Sequence, residues 1–342
     1  TRSFLSGNKI QRIKFKTFKS LYMSQPRIVF LDGHTLFSND LNPDDLNVCG
    51  HFTFHARTPQ SQVLERGKDA EVLIVNKVHL GEEEFSALPN LTLVCVAATG
   101  YDGIDTIAAR AHGVTVCHCE DYSTLSVAQL TLSLLLSLAD GVDETFRSTR
   151  AGGWAACPDF CYSVRPRFEL AGRKLCIVGM GNIGRAVAAV MKPLGLILSA
   201  VTSCPQSELP DGVGKVTLEE AFATSDIVSL HCPLRADNRG MVSAELLAKT
   251  RPGLILLNTA RGALVDETAV AEALHRGQLG AYCADVMSQE PPSAKNPLFT
   301  APNAYITPHI GWATVEARRR VITQLIENIQ SFFEGKPQRV VS

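Results

Sequence analysis

From Arg27 onward the chain alternates between two hydrophobic periods. Short, nearly unbroken apolar runs stand at Arg27 to Leu31, Glu71 to Val75, Leu91 to Val96 and Val114 to Cys117. Between them, stretches such as Gln60 to Arg66 and Thr106 to His112 carry helix-like spacing. Strands that are apolar on both faces are expected where helices cover a parallel sheet from both sides. A long helix near Ser126 to Leu138 and a Gly/Pro/aromatic connection, Gly152 to Pro166, come next, and the pattern then restarts. Its strands are predicted at Leu175 to Val178, Leu196 to Val201, Asp226 to Leu230, Leu254 to Asn258, Ala281 to Ala284 and Ala304 to Ile306, ahead of an amphipathic helix at Thr314 to Phe333. The pattern predicts an α/β protein of two Rossmann-like, doubly wound parallel-sheet domains with a cleft between them. Such sheets bind ligands outside the carboxyl ends of their strands, so chemistry is to be sought there.

The restart itself, Lys174 to Arg185 (KLCIVGMGNIGR), reads strand, tight turn, helix, with Ile183, Val187, Val190, Met191 and Leu194 at helical spacing. Gly179 permits the turn, Gly181 lets a diphosphate approach the backbone, and Gly184 lets helix and strand pack closely. The N–H groups that open the helix, at Asn182 and Ile183, would face the anion. Later strand ends add three chemical groups: Arg261, then Asp285 and Glu290, then His309. Each alone also reads as an ordinary surface or packing residue. Together they supply a carboxylate anchor, a proton carrier and an acid beside it. The second strand of an NAD-binding unit normally ends in an acid roughly 20 residues after the glycines. Here that position is Thr202, followed by Ser203 and Cys204. A 2′-phosphate would not be repelled, yet no arginine or lysine follows closely, so both NAD and NADP are open.

Composition narrows the partners. The 342 residues are 45% hydrophobic and 20% charged, enough for two domains, and the net charge of −1 offers no basic field for nucleic acid or a membrane surface. The richest apolar stretch, Val127 to Leu138, is broken by Gln129, Thr131, Ser133 and Ser137 and reads as a buried helix. Of the 10 cysteines, Cys95, Cys176, Cys232 and Cys283 lie in strand-like runs. The pairs Cys117 with Cys119 and Cys157 with Cys161 lack the second half of a zinc site, so no metal is expected and a cytoplasmic location fits. Residues 1–22 carry six basic residues and no acid, as an import presequence or a separate leader would, and are set apart from the fold.

The segments Gly179 to Arg185, Asn258 to Glu267 (NTARGALVDE), Asp285 to Pro291 (DVMSQEP) and Thr307 to Thr314 (TPHIGWAT), in order and spacing, resemble the D-isomer-specific 2-hydroxyacid dehydrogenases. Asn76-Lys77-Val78, Tyr122 to Gln129 and Trp312 are most similar to the glycerate dehydrogenase (hydroxypyruvate reductase) branch. The resemblance implies a discontinuous substrate domain, 23–122 plus 313–342, around a dinucleotide domain at 123–312. It implies that Arg261 holds a 2-oxo acid's carboxylate and polarises its carbonyl, that His309 moves the proton, and that Glu290 pairs with His309. Substrate contacts are expected from the backbone of Ala98, Thr99 and Gly100 and from Lys77 and Trp312. Further cofactor contacts are expected at Thr124, Pro233, the backbone of Thr259, Ala260 and Arg261, Asp285 and Gly311 as well as His309. Closure of the cleft would exclude water from the hydride step. The aromatic stretch Trp154 to Tyr162 is a candidate dimer arm. Two other readings stand beside the reductase: a dinucleotide-sensing corepressor, and a formate or phosphite dehydrogenase, of which the formate enzyme would be expected to place Gln at position 290.

Overall fold

The structure is a computed structural model that describes residues 25–38 and 40–342; the leader reading of residues 1–22 lies outside them. Contacts divide the chain into two units: the described residues up to Tyr122 with Val315–Ser342, and Ser123–Thr314.

The first unit contains β1 (Arg27–Phe30), β2 (His51–Phe54), α1 (Val63–Gly67), β3 (Val72–Val75), α2 (Glu82–Ala87), β4 (Leu93–Val96), α3 (Thr106–Ala111) and β5 (Thr115–Cys117). Its sheet is parallel, in the order β2-β1-β3-β4-β5. β3 and β4 are buried at every position, which is why they read as unbroken apolar runs. β2, reading HFTF, was not expected: it is an edge strand that alternates between exposed and half-buried residues. The order reverses between β1 and β3, placing their loops at a switch point of the kind where ligands bind.

The second unit contains α4 (Thr124–Asp140), α5 (Val142–Arg150), β6 (Lys174–Val178), α6 (Asn182–Met191), β7 (Ile197–Val201), β8 (Gly214–Lys215), α7 (Leu218–Thr224), β9 (Ile227–Leu230), α8 (Ala244–Ala248), β10 (Leu254–Asn258), α9 (Glu267–His275), β11 (Leu279–Ala284) and β12 (Ala304–Ile306). The last helix, α10 (Val315–Phe333), belongs to the first unit. The second sheet is parallel, ordered β12-β11-β10-β9-β6-β7-β8, and reverses between β6 and β9. Alternate residues feed separate cores: Val178, Val228 and Leu256 one, Ile177, Ile227 and Leu257 the other. On α6 the buried stripe is Gly184, Val187, Ala188 and Met191. Val190 and Leu194, grouped with it by spacing, are 36% and 37% exposed, and Leu194 stands past the end of the helix at Met191. Among the described residues no single helix is long and apolar enough to cross a membrane.

Candidate active site

The three motif glycines do three different things. Gly179 has φ +99°, and a Cβ there would stand 2.6 Å from the Cys232 nitrogen, so the turn after β6 packs directly on the loop after β9. A Cβ on Gly184 would lie 2.0 Å from the Gly179 carbonyl oxygen. A Cβ on Gly181 would meet nothing within 4 Å among the described residues. An uncovered backbone at a helix N-terminus, at the sheet's switch point, fits a dinucleotide's diphosphate. Asn182 there is exposed and Ile183 half-buried, with Thr124 at the start of α4 also half-buried. Pro233 is exposed, its carbonyl accepting from Asn238 Nδ2 at 2.8 Å. At the end of β7, Thr202 Oγ1 accepts from the Cys204 N–H at 3.1 Å, and Ser203 is exposed.

Next in the sheet, β10 ends in Asn258, fully buried, whose amide clamps the following turn: Oδ1 accepts from Ala260 N at 3.2 Å and Nδ2 donates to the Arg261 carbonyl at 3.0 Å. Thr259 is buried against Thr131, their hydroxyls 3.0 Å apart. The clamp leaves Arg261 exposed, with one guanidinium N–H on its neighbour Ala260's carbonyl at 2.8 Å. Gly262 follows, and a Cβ there would lie 1.9 Å from the Met287 carbonyl carbon. The Arg261 turn therefore sits flush on the loop that carries Glu290. Glu290 Oε1 accepts from Met287 N at 3.0 Å, and Oε2 meets His309 Nδ1 at 2.6 Å. Each of these two side chains is about one-third exposed.

His309 is held in the left-handed region, φ +53°, where a non-glycine residue persists only if its surroundings enforce it. Asp285, 2% exposed at the end of β11, does so. Its Oδ1 accepts from Thr307 Oγ1 at 2.5 Å and Ile310 N at 2.9 Å, and its Oδ2 from Gly311 N at 2.7 Å. The carboxylate is thus committed to the loop on both sides of His309. Ser126 of α4 donates to the Gly311 carbonyl, and Trp312 beyond it is half-buried.

In the first unit the end of β4 presents Ala98, Thr99 and Gly100. Their chain is tied by its carbonyls: Ala98 O accepts from Cys119 N at 3.1 Å and Thr99 O from His118 Nδ1 at 2.9 Å. Among the described residues their three N–H groups have no acceptor. At the neighbouring end of β3, Asp32 receives the N–H groups of Asn76, Lys77 and Val78 at 2.7, 2.5 and 3.1 Å. That fixes the loop and leaves the Lys77 side chain exposed. A cavity of about 320 Å³ opens there, lined by Asp32, His34, Thr35, Arg57, Asn76 and Lys77 among others. Asp32, Asn258 and Gly262 were not singled out from sequence. Applying the strand-end rule to β1 finds Asp32, whereas Gly262 needs its partner loop.

A sequence model described as the NAD binding domain of D-isomer specific 2-hydroxyacid dehydrogenases matches residues 132–311. A glycerate dehydrogenase of Methylorubrum extorquens is 37% identical over 318 residues, 92% of this chain and 98% of that protein. A hydroxypyruvate reductase of Blautia hydrogenotrophica is 35% identical over 320 residues, 92% and 99% respectively. The crystal structure of a Thermus thermophilus protein matches with a TM-score of 0.81 at 33% identity, covering 92% of this chain and 100% of that one. The chain belongs to the D-isomer-specific 2-hydroxyacid dehydrogenase family.

Proposed function

We propose that this nicotinamide-dependent oxidoreductase interconverts a small 2-oxo acid and its 2-hydroxy acid, hydroxypyruvate with D-glycerate or glyoxylate with glycolate. The observation that carries the reading is the 2.6 Å pair between His309 Nδ1 and Glu290 Oε2, which leaves Nε2 without a partner among the described residues. Nε2 is then the atom that gives a proton to the forming alkoxide and takes it back in the reverse direction. A nicotinamide bound at the glycine turn supplies the hydride. The N–H groups of Ala98, Thr99 and Gly100, with Lys77, receive the carboxylate, and Arg261 polarises the carbonyl that is reduced. Thr259, Ala260 and Gly311 line the cofactor's side of the loops, and Trp312 shapes the substrate's. The names of the relatives support this substrate class.

We also assign a homodimer, supported by an apolar surface on α5 and the segment after it: Val142, Phe146, Trp154 and Phe160 are 64%, 56%, 55% and 89% exposed. The ten free cysteines, six of them buried, support a reducing, cytoplasmic setting. The test is a panel of four 2-oxo acids against NADH and NADPH, with His309→Gln beside the wild type. Oxidation of the reduced cofactor by hydroxypyruvate or glyoxylate, lowered about 10²–10⁴-fold in the variant, is expected. No turnover with any of the acids, or an undiminished variant, overturns the reading.

A further inference from the structure

The end of β7 is where a dinucleotide-binding sheet ordinarily offers an acid to the adenosine ribose, and Thr202 stands there instead. The residues that follow carry no cation, but the next strand brings one. β8 runs parallel beside β7 with Lys215 opposite Ala200. From that register the Lys215 ammonium donates to the Cys204 carbonyl at 2.9 Å, while the Cys204 N–H donates to Thr202 Oγ1 at 3.1 Å. The Cys204 main chain thus bonds the Lys215 ammonium through its carbonyl and Thr202, at the position an acid would fill, through its N–H. Gln206 fixes the approach: its Oε1 accepts from Lys215 N at 3.0 Å and its Nε2 donates to the Val213 carbonyl at 2.8 Å. On the other side of the loop Arg185, one residue past the last motif glycine, donates to the Glu208 carbonyl at 2.8 Å. Both cations hold main-chain oxygens, which satisfies their geometry without cancelling their charge. Glu208 and Asp211, both exposed, are the acids in that loop, and among the described residues no ion pair joins either of them to Lys215 or Arg185.

We propose that Lys215 is the residue that admits a 2′-phosphorylated dinucleotide, with the hydroxyls of Thr202 and Ser203 as neighbouring donors. The inference rests on the dinucleotide reading of the glycine turn. With no carboxylate at position 202 a phosphate dianion escapes the repulsion an acid there would exert, and the ammonium adds attraction as a compact point charge. Calorimetric titration of the whole protein with NADP⁺ and with NAD⁺ tests it. NADP⁺ is expected to bind at least as tightly as NAD⁺. Lys215→Ala is expected to weaken NADP⁺ roughly tenfold and NAD⁺ less than about twofold, since one partly solvated charge is removed. Lys215→Arg should restore NADP⁺ binding. Lys215→Gln, which keeps a donor for the Cys204 carbonyl without the charge, should behave as Lys215→Ala; wild-type NADP⁺ affinity in that variant overturns the proposal. So does equal weakening of both dinucleotides in Lys215→Ala. A wild type that binds NAD⁺ but not NADP⁺ defeats the proposal and spares the dinucleotide site, whereas binding of neither defeats both.

Discussion

Asp285 directs both carboxylate oxygens to the loop that carries His309. Its contribution is to keep a non-glycine residue at φ +53°. Asp285→Asn points an NH₂ group at N–H donors, so the loop should relax. Turnover is expected to fall on the order of 10²-fold with the fold retained, because a displacement of about 1 Å at a reacting group costs that much. A variant with wild-type kcat and an unchanged circular dichroism spectrum would refute the anchoring role. Gly262→Ala tests the neighbouring contact. A Cβ 1.9 Å from the Met287 carbonyl carbon forces backbone apart, and a loss of about 1–3 kcal/mol in urea denaturation is expected together with lower activity.

His231, beside Gly179, makes a different prediction. Its Nε2 lies 2.7 Å from Ser229 Oγ, its Nδ1 is buried without a partner among the described residues, and burial pushes the ring down to about 3 from 6.5. The unfolded chain takes up this proton as pH falls through 6.5, and the folded chain does so only near 3. Stability tied to His231 is therefore complete above 6.5 and is lost progressively as pH falls towards 3. The midpoint of thermal unfolding, followed from about pH 7 to about pH 4, should drop less steeply in His231→Asn than in the wild type. Parallel slopes would remove this residue from the account.

Among the elements, those buried on both sides were legible and those at edges were not. β10 and β9 are buried at every position and emerge from apolar runs alone. β2 is half-exposed and β8 is two residues long, so neither has a run to detect. β8 nonetheless delivers Lys215. α10 is amphipathic enough to be read as a helix, and a buried cation adds to the attachment its apolar face makes. Arg318, 3% exposed, donates to the Leu36 carbonyl at 3.0 Å and to both oxygens of Asp40, at 2.7 and 2.5 Å. Those bonds hold the Asp40 carboxyl below its ordinary 3.8, so their support is present above 3.8 and is lost as pH falls further. Asp40→Asn is expected to cost about 1–2 kcal/mol in urea denaturation at neutral pH, less than a fully buried pair because Asp40 faces solvent. No change in midpoint would mean that the Arg318–Asp40 pair adds nothing to the attachment of α10.

For the whole molecule the apolar surface on α5 and the following segment predicts self-association. Trp154 Nε1 donates to the Phe160 carbonyl at 3.1 Å, so the segment is a shaped surface rather than loose chain. Light scattering is expected to give twice the chain mass, and Phe146→Asp with Phe160→Asp to give the chain mass with each unit still folded. A monomeric wild type refutes it.

Fold class could be read along the chain, and with it the strand ends at which Arg261, Glu290 and His309 stand as candidates, because strand and helix periods are local properties of sequence. Tertiary structure decided which loops touch. The order of the strands sets that, and it draws on residues dozens of positions apart: Gly262 against Met287, Asp285 beneath His309, Lys215 over Cys204. Such contacts leave no periodic trace in the sequence, since each needs only one side chain, or the lack of one, at the right place.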